Sequence, residues 1–171
     1  VLRHRLADLA IANETGRLLS YRTAWMQEAG KVANYEASVI KVFATELGQR
    51  EIVIVGALGL RLDQTLGNLA LLTDLRLSTF NLRLDDGVEQ AFFCRDQARV
   101  EGRRGDLVSL IPWGGEVTGV RTEGLRWPLS NETLYPEKTR GISNELLDEA
   151  ARIQIQSGLL LIVHRRLKTE N

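Results

Sequence analysis

From about residue 79 onward, apolar residues recur at every second position in short runs, and that period confines the C-terminal half of the chain to strands. Six candidate strands read out as 81–84, 90–94, 107–112, 116–121, 152–156 and 159–164. Turn signals stand between them: Asp85-Asp86-Gly87, Gly102-Arg103-Arg104-Gly105, Gly114-Gly115 and Ser157-Gly158. Several short strands at such spacing predict an antiparallel sandwich or barrel. One run resists assignment to a face. Val117, Gly119 and Arg121 alternate with Thr118, Val120 and Thr122, so neither side is cleanly apolar.

Upstream the period is helical. Leu2, Leu6, Leu9 and Ala10 share one spacing, as do Leu18, Tyr21 and Trp25, and after Gly30 the set Ile40, Phe43, Ala44 and Leu47 repeats it. Gly30 and Gly48 fit C-caps, so residues 1–50 are expected to form a helical hairpin whose two apolar stripes need burial. Glu51-Ile52-Val53-Ile54-Val55-Gly56 reads as a strand covered on both faces, followed by a loop and a helix carrying Leu66, Leu69 and Leu72 on one side. The expected class is α+β. It comprises the hairpin over 1–50, a strand-loop-helix remnant of an α/β unit over 51–77, and an antiparallel β-sandwich over 78–171.

Composition narrows the function classes. Of 171 residues, 44% are hydrophobic and 26% charged, with a formal net charge of zero. That balance suits a folded protein and shows no electrostatic footprint for nucleic acid or a membrane surface. No stretch approaches the ~20 apolar residues that span a bilayer. Cys94 is the sole cysteine and ends an apolar run, so a packed thiol in a reducing cytoplasm is expected. The start, Val1-Leu2-Arg3-His4-Arg5, has neither an initiator Met nor an apolar h-region. A fragment, a processed product or a trimmed chain without a signal peptide is expected.

Three segments carry residues able to do chemistry. Glycines after the strand at 51–56 let backbone N–H groups approach an anion at a helix start. Arg61 there is able to clamp a phosphate, and Asp63 to hold a cation or cap the helix. Gly124-Leu125-Arg126-Trp127-Pro128-Leu129 presents a Trp that is either a stacking platform or a core residue. In Thr139-Arg140-Gly141-Ile142-Ser143-Asn144-Glu145, Ser143 and Asn144 offer directed polar groups, although local patterning favours an N-cap for a stretch at 146–151. His4 and His164 lack an evident partner in sequence, and no nucleophile–base arrangement emerges.

Taken in order, these segments resemble a known family. Gly56-Ala57-Leu58-Gly59-Leu60-Arg61-Leu62-Asp63-Gln64-Thr65-Leu66-Gly67-Asn68 is similar to the thiamine pyrophosphokinase segment G-A-x-G-G-R-x-D-H/Q-x-x-x-N. Ser109-Leu110-Ile111-Pro112, Val117-Thr118-Gly119-Val120, the Trp127 segment and the Ser143 segment resemble that family's C-terminal domain. The resemblance implies a cytoplasmic homodimer that moves pyrophosphate from ATP to thiamine, with sites between one subunit's α/β domain and its partner's sandwich. It implies Arg61 and Asp63 as catalytic residues, Gly59, Arg61 and Gln64 at the ATP, Asp63 at Mg²⁺, and Trp127, Ser143 and Asn144 around thiamine. The implied reaction is in-line attack of the thiamine hydroxyl on the β-phosphorus.

Two departures qualify it. Leu60 replaces the motif's second glycine, and the family's upstream G-D-x-D-S and D-x-T-D motifs have no counterpart. Residues 1–49 instead resemble the C-terminal helical domain of acyl-CoA dehydrogenases, through Arg17-Leu18-Leu19-Ser20-Tyr21-Arg22-Thr23-Ala24-Trp25 and Glu36-Ala37-Ser38-Val39-Ile40-Lys41-Val42-Phe43-Ala44-Thr45-Glu46. The expectation is a thiamine pyrophosphokinase-like protein, incomplete and weak or inactive alone. The alternatives are a non-catalytic dimeric thiamine-binding or assembly module, and an acyl-CoA dehydrogenase-derived helical fragment in a chimera.

Overall fold

The computed structural model describes residues 2–29, 51–58, 61–78 and 80–167. It is a mixed α and β protein, few in helices and rich in antiparallel sheet. The chain divides into two compact units: Leu66–Leu82 with the described part of Val1–Ile54, and Val55–Thr65 with the described part of Arg83–Asn171.

In the first unit, α1 (Leu2–Glu28) runs without a break through Gly16 and closes with the Ala29 N–H donating to the Trp25 carbonyl at 2.9 Å. Leu, Ala, Arg and Glu favour this, and Glu14 pairs with Arg17 one turn on at 2.6 Å. The helix packs against the turn Leu75–Leu77, with a cleft of about 710 Å³ floored by Ala7, Ala10, Ile11, Leu71 and Leu77. Leu18, Tyr21 and Trp25, expected to bury a stripe, are exposed instead. The hairpin's second helix, with Ile40, Phe43, Ala44 and Leu47 and the caps at Gly30 and Gly48, lies outside the described residues.

The strand expected to be covered on both faces, β1 (Glu51–Val55), buries Ile54 but exposes Val53 and, at 79%, Val55. Strands sheathed on both sides need helices on both sides, and among the described residues β1 is followed by a single helix, α2 (Leu62–Leu71). On α2 and just past it, Leu69 and Leu72 are buried while Leu66 is exposed. No described helix is long and apolar enough to cross a membrane.

The second unit is a sandwich. One sheet runs in the order β2-β3-β10-β5-β8, comprising Asn81–Asp85, Glu89–Cys94, Leu160–Arg165, Leu107–Pro112 and Asn144–Glu145. The other runs β4-β9-β6-β7, comprising Gln97–Glu101, Ala150–Gln154, Val117–Glu123 and Ser130–Leu134. All the ladders that join these strands are antiparallel. β10 is paired on both edges, with Ile162 opposite Phe92 on β3 and Leu110 on β5. Phe92, Cys94, Val108, Leu110, Leu160 and Ile162 meet Val100, Val117, Val120, Leu134 and Ile153 from the opposite sheet in one core. Fully burying each such side chain contributes ~1.5–3 kcal/mol. Cys94 is a core thiol, as expected, and desolvation pushes its pKa up to about 11.

All six candidate strands exist, with ends shifted by up to two residues, and β4, β7 and β8 are additional. The ambiguous run is explained by a register shift. β6 slips against β7 between Val117 and Val120 and again before Arg121, and Gly119 there has φ +66. A bulge exchanges the faces: Val117 points inward before it, and Val120 and Thr122 point inward after it.

Two polar clusters fasten the sandwich. His164, which has no evident partner in sequence, is fully buried with Nε2 3.0 Å from Asp106 Oδ2. Asp106 also accepts from the Arg103 and Leu167 N–H groups at 2.9 Å each. Burial alone raises the Asp106 pKa, but those backbone donors and His164 outweigh it and hold the carboxyl below its usual value. Asp85 accepts both Arg166 N–H groups at 2.9 and 2.7 Å and the Gly87 N–H at 2.7 Å, closing the Asp85-Asp86-Gly87 turn. The Arg166 guanidinium, against some desolvation, brings the Asp85 pKa down to about 2.

A depressed carboxylate stabilises the fold above its unfolded pKa of ~3.9 and loses that contribution as the pH falls through the folded value. Asp85→Asn should therefore cost ~1–2 kcal/mol at neutral pH, discounted for the part-exposed Arg166, and less than half of that near pH 2. Thermal melts of both chains from pH 7 to pH 2 check this, and curves that stay parallel throughout rule it out. Asp106→Asn leaves buried donors short of acceptors and should cost ~2–3 kcal/mol, read as a lower melting temperature at pH 7.

Candidate functional site

The segment between β6 and β7 is where the sandwich shows an aromatic face. Gly124 starts it with φ +79, and a Cβ there would lie 2.4 Å from the Ala150 carbonyl oxygen, so only glycine lets the chain turn so close to β9. Leu125 and Leu129 are buried on either side. Leu125 bridges Leu146, and the Arg126 N–H donates to the Glu145 carbonyl at 2.9 Å. At the far end Thr122 and Leu129 exchange two bonds: the Thr122 N–H donates to the Leu129 carbonyl at 3.0 Å, and the Leu129 N–H donates to Thr122 Oγ1 at 2.8 Å. Between these fixed flanks stands Trp127, 46% exposed.

Asn144 lies directly against it. Its Oδ1 accepts from the Trp127 N–H at 3.0 Å, and its Nδ2 donates to the Trp127 carbonyl at 2.7 Å. The Arg126 guanidinium lies 5.1 Å from the centroid of the Trp127 ring, within cation–π range, and donates to Glu145 at 2.7 Å. Ser143 is exposed with φ 58, and its N–H donates to Ser109 Oγ at 3.0 Å. Gly141 permits that approach, because a Cβ on it would lie 2.3 Å from the Leu110 carbonyl oxygen, while its own carbonyl accepts from the Leu110 N–H at 2.8 Å. Trp127 and Asn144 are therefore joined by two hydrogen bonds, and Ser143 is the residue that precedes Asn144 in the chain.

No helix follows them. Asn144–Glu145 is β8, residues 146–149 form a bridge and bends, and β9 starts at Ala150, so the N-cap reading fails. Pairing of Asn144 with Val108 holds the segment extended, and the left-handed Ser143 turns the chain into that pairing. The sequence also gave no sign that Asn144 is 6% exposed or that Thr122 closes the loop. Their partners are 17 and 7 residues away.

The glycine loop is organised differently. Gly56 has φ +77 at the end of β1, as a turn there requires. Arg61 and Asp63 form a two-bond pair at 3.2 and 2.6 Å, both side chains exposed, with Asp63 in the first turn of α2. The Arg61 guanidinium holds the Asp63 carboxyl below its usual value. Gln64 follows on the same turn and is exposed, while Gly59 and Leu60 lie outside the described residues. Hydrogen bonds of Arg61 and Asp63 stay within this loop, and among the described residues no three His, Cys, Asp or Glu side chains gather as a metal site.

Comparison with known proteins gives two family matches. Residues 97–160 match the model of the thiamin pyrophosphokinase vitamin B1 binding domain, and residues 1–80 match that of the acyl-CoA dehydrogenase C-terminal domain. The second match runs past residue 49 and across the glycine loop. No curated protein sequence matches the chain. Among solved structures, thiamin pyrophosphokinase from Geobacillus thermodenitrificans aligns at 25% identity with a TM-score of 0.63, covering 78% of this chain and 62% of its own. The Bacillus subtilis enzyme aligns at 24% identity and TM-score 0.61, covering 77% and 62%, and yeast thiamin pyrophosphokinase at 18% and 0.56, covering 76% and 46%. The chain thus spans 62% of the length of the bacterial relatives and less of the yeast one. Through residues 97–160 and the fold around them, this chain is similar to thiamine pyrophosphokinases, and its N-terminal part carries a second likeness, to the acyl-CoA dehydrogenase C-terminal domain.

Proposed function

We propose that the sandwich binds thiamine on Trp127, and that transfer of pyrophosphate from ATP to thiamine by this chain alone is weak or absent. The observation that carries the reading is a half-exposed Trp127 held by Asn144 within the residues that match a vitamin B1 binding domain. An indole attracts a cationic ring by ~0.5–2 kcal/mol beyond its buried area. Arg126 already lies over one face of this indole. A thiazolium ring takes the opposite face, because Arg126 is held on its own face by Glu145. The Ser143 hydroxyl stands ready for a polar edge of the ligand.

ATP and Mg²⁺ enter only through the resemblance, which puts Gly59, Arg61 and Gln64 at the nucleotide and Asp63 at the metal. Magnesium is held by carboxylates and phosphate oxygens in near-octahedral geometry. Here the one candidate carboxylate has both oxygens engaged by Arg61, and among the described residues no three His, Cys, Asp or Glu side chains gather as a metal site. Asp63 paired in this way does not fit a magnesium ligand. Removing one preorganised electrostatic contact costs about 10²–10³ in rate, which supports weak or no turnover. The same pairing favours a second reading, a non-catalytic thiamine-binding or assembly module. A homodimer in the cytoplasm remains part of the proposal.

Calorimetric titration with thiamine is expected to show saturable binding that Trp127→Ala abolishes. A folded chain that gives no binding heat at millimolar thiamine would falsify the reading. Incubation with ATP, Mg²⁺ and thiamine should yield little or no thiamine pyrophosphate, and formation at an ordinary enzyme rate of about 1 s⁻¹ or more overturns the inactive half of the proposal. Sedimentation at micromolar concentration tests the dimer, which a clean monomer removes.

A further inference from the structure

We infer that Asn144 is a positioning residue that acts through Trp127, fixing the indole a ligand meets rather than touching the ligand itself. The inference deepens the thiamine-binding reading and rests on it for the ligand's identity, while its geometry stands apart from that reading.

A carboxamide has an oxygen that accepts two hydrogen bonds and a nitrogen that donates two. In Asn144 three of those four capacities are committed to the protein. Oδ1 accepts from the Trp127 N–H at 3.0 Å and from the Glu145 N–H at 2.9 Å, and Nδ2 donates to the Trp127 carbonyl at 2.7 Å. The residue is 6% exposed. A heterocycle arriving from solvent finds one N–H left, on a group almost wholly covered.

The need lies in the loop. Trp127 sits between Arg126, whose N–H pairs with Glu145, and Pro128, which has no N–H to give. Both backbone groups of Trp127 close on one side chain, which imitates the edge of a strand where the ladder has run out. That pair of bonds fixes the position and tilt of the peptide from which the indole projects. Arg126, held by Glu145, then limits how the ring swings. Ser143 differs from Asn144 in exposure, and it is the neighbour left to meet a ligand.

Near-ultraviolet circular dichroism of the ligand-free chain reads the platform directly. Trp127→Phe serves as the reference that separates Trp127 from Trp25 and Trp113. Asn144→Ala is expected to remove most of the Trp127 band while the far-ultraviolet spectrum stays unchanged. Asn144→Asp keeps both accepted bonds and loses the donated one, so it should fall between the two, and it decides the matter if Asn144→Ala does not fold. Thiamine affinity by calorimetry should fall about tenfold or more in Asn144→Ala, in step with the lost band. A variant that loses affinity but keeps the Trp127 band shows direct contact and overturns the inference, as does one that keeps both. If the unaltered chain takes up no thiamine, the binding reading fails, and the positioning role is still judged on the ligand-free spectra.

Discussion

A buried or half-buried backbone must have its N–H and C=O groups satisfied, and the segment from Gly124 to Leu129 meets that demand partly with backbone partners and partly with side chains. Strand-like exchange at Leu125 and Arg126 gives way to side-chain partners, Asn144 for Trp127 and Thr122 for Leu129. This is how an indole projects from the sandwich between two buried leucines. The aliphatic neighbours on either side are sunk into the core, so the loop is anchored by apolar burial at two points and by polar side chains between them. The exposure of the Trp127 ring follows from that arrangement.

Much of the sandwich is legible in residue order, because antiparallel strands with one covered face repeat every two residues. The additional strands show where this legibility ends. Gln97–Glu101 is mostly polar on its outer side, Ser130–Leu134 buries little beyond Leu134, and Asn144–Glu145 is two residues long. Gln97–Glu101 does alternate, but with only Ala98 and Val100 as apolar residues, whereas the other two are strands because distant ones supply their partners. The bulge at Gly119 is a related case: a run that alternates on neither face is two half-runs of opposite phase. Of the candidate site, Trp127, Ser143 and Asn144 are recognisable from a motif. The roles of Thr122, Arg126 and Glu145, and the burial of Asn144, emerge only from contacts between segments.

The N-terminal part follows other rules. The likeness to an acyl-CoA dehydrogenase domain extends to residue 80, while the vitamin B1 binding match begins at residue 97. The glycine loop therefore falls where one match covers it by alignment and the other family's motif covers it by spelling. Structure resolves its local chemistry more simply. Arg61 and Asp63 neutralise one another on the surface at the start of a short helix, as a guanidinium and a carboxylate do wherever no stronger partner competes. Descent and present chemistry need not agree at such a position.

His164, Asp106 and Gly102 illustrate how tightly a small sandwich can bind distant positions. A Cβ at residue 102 would lie 2.6 Å from Asp106 Oδ2 and 2.7 Å from His164 Nε2, so the imidazole–carboxylate pair occupies the volume that any side chain at 102 would need. The three sites form one steric and polar unit spread over more than sixty residues of chain. A larger residue at the first is tolerated only alongside a smaller partner at the last, and a smaller partner strands the carboxylate. Sequence drift in this domain must therefore cross that point in coordinated steps, or leave all three untouched.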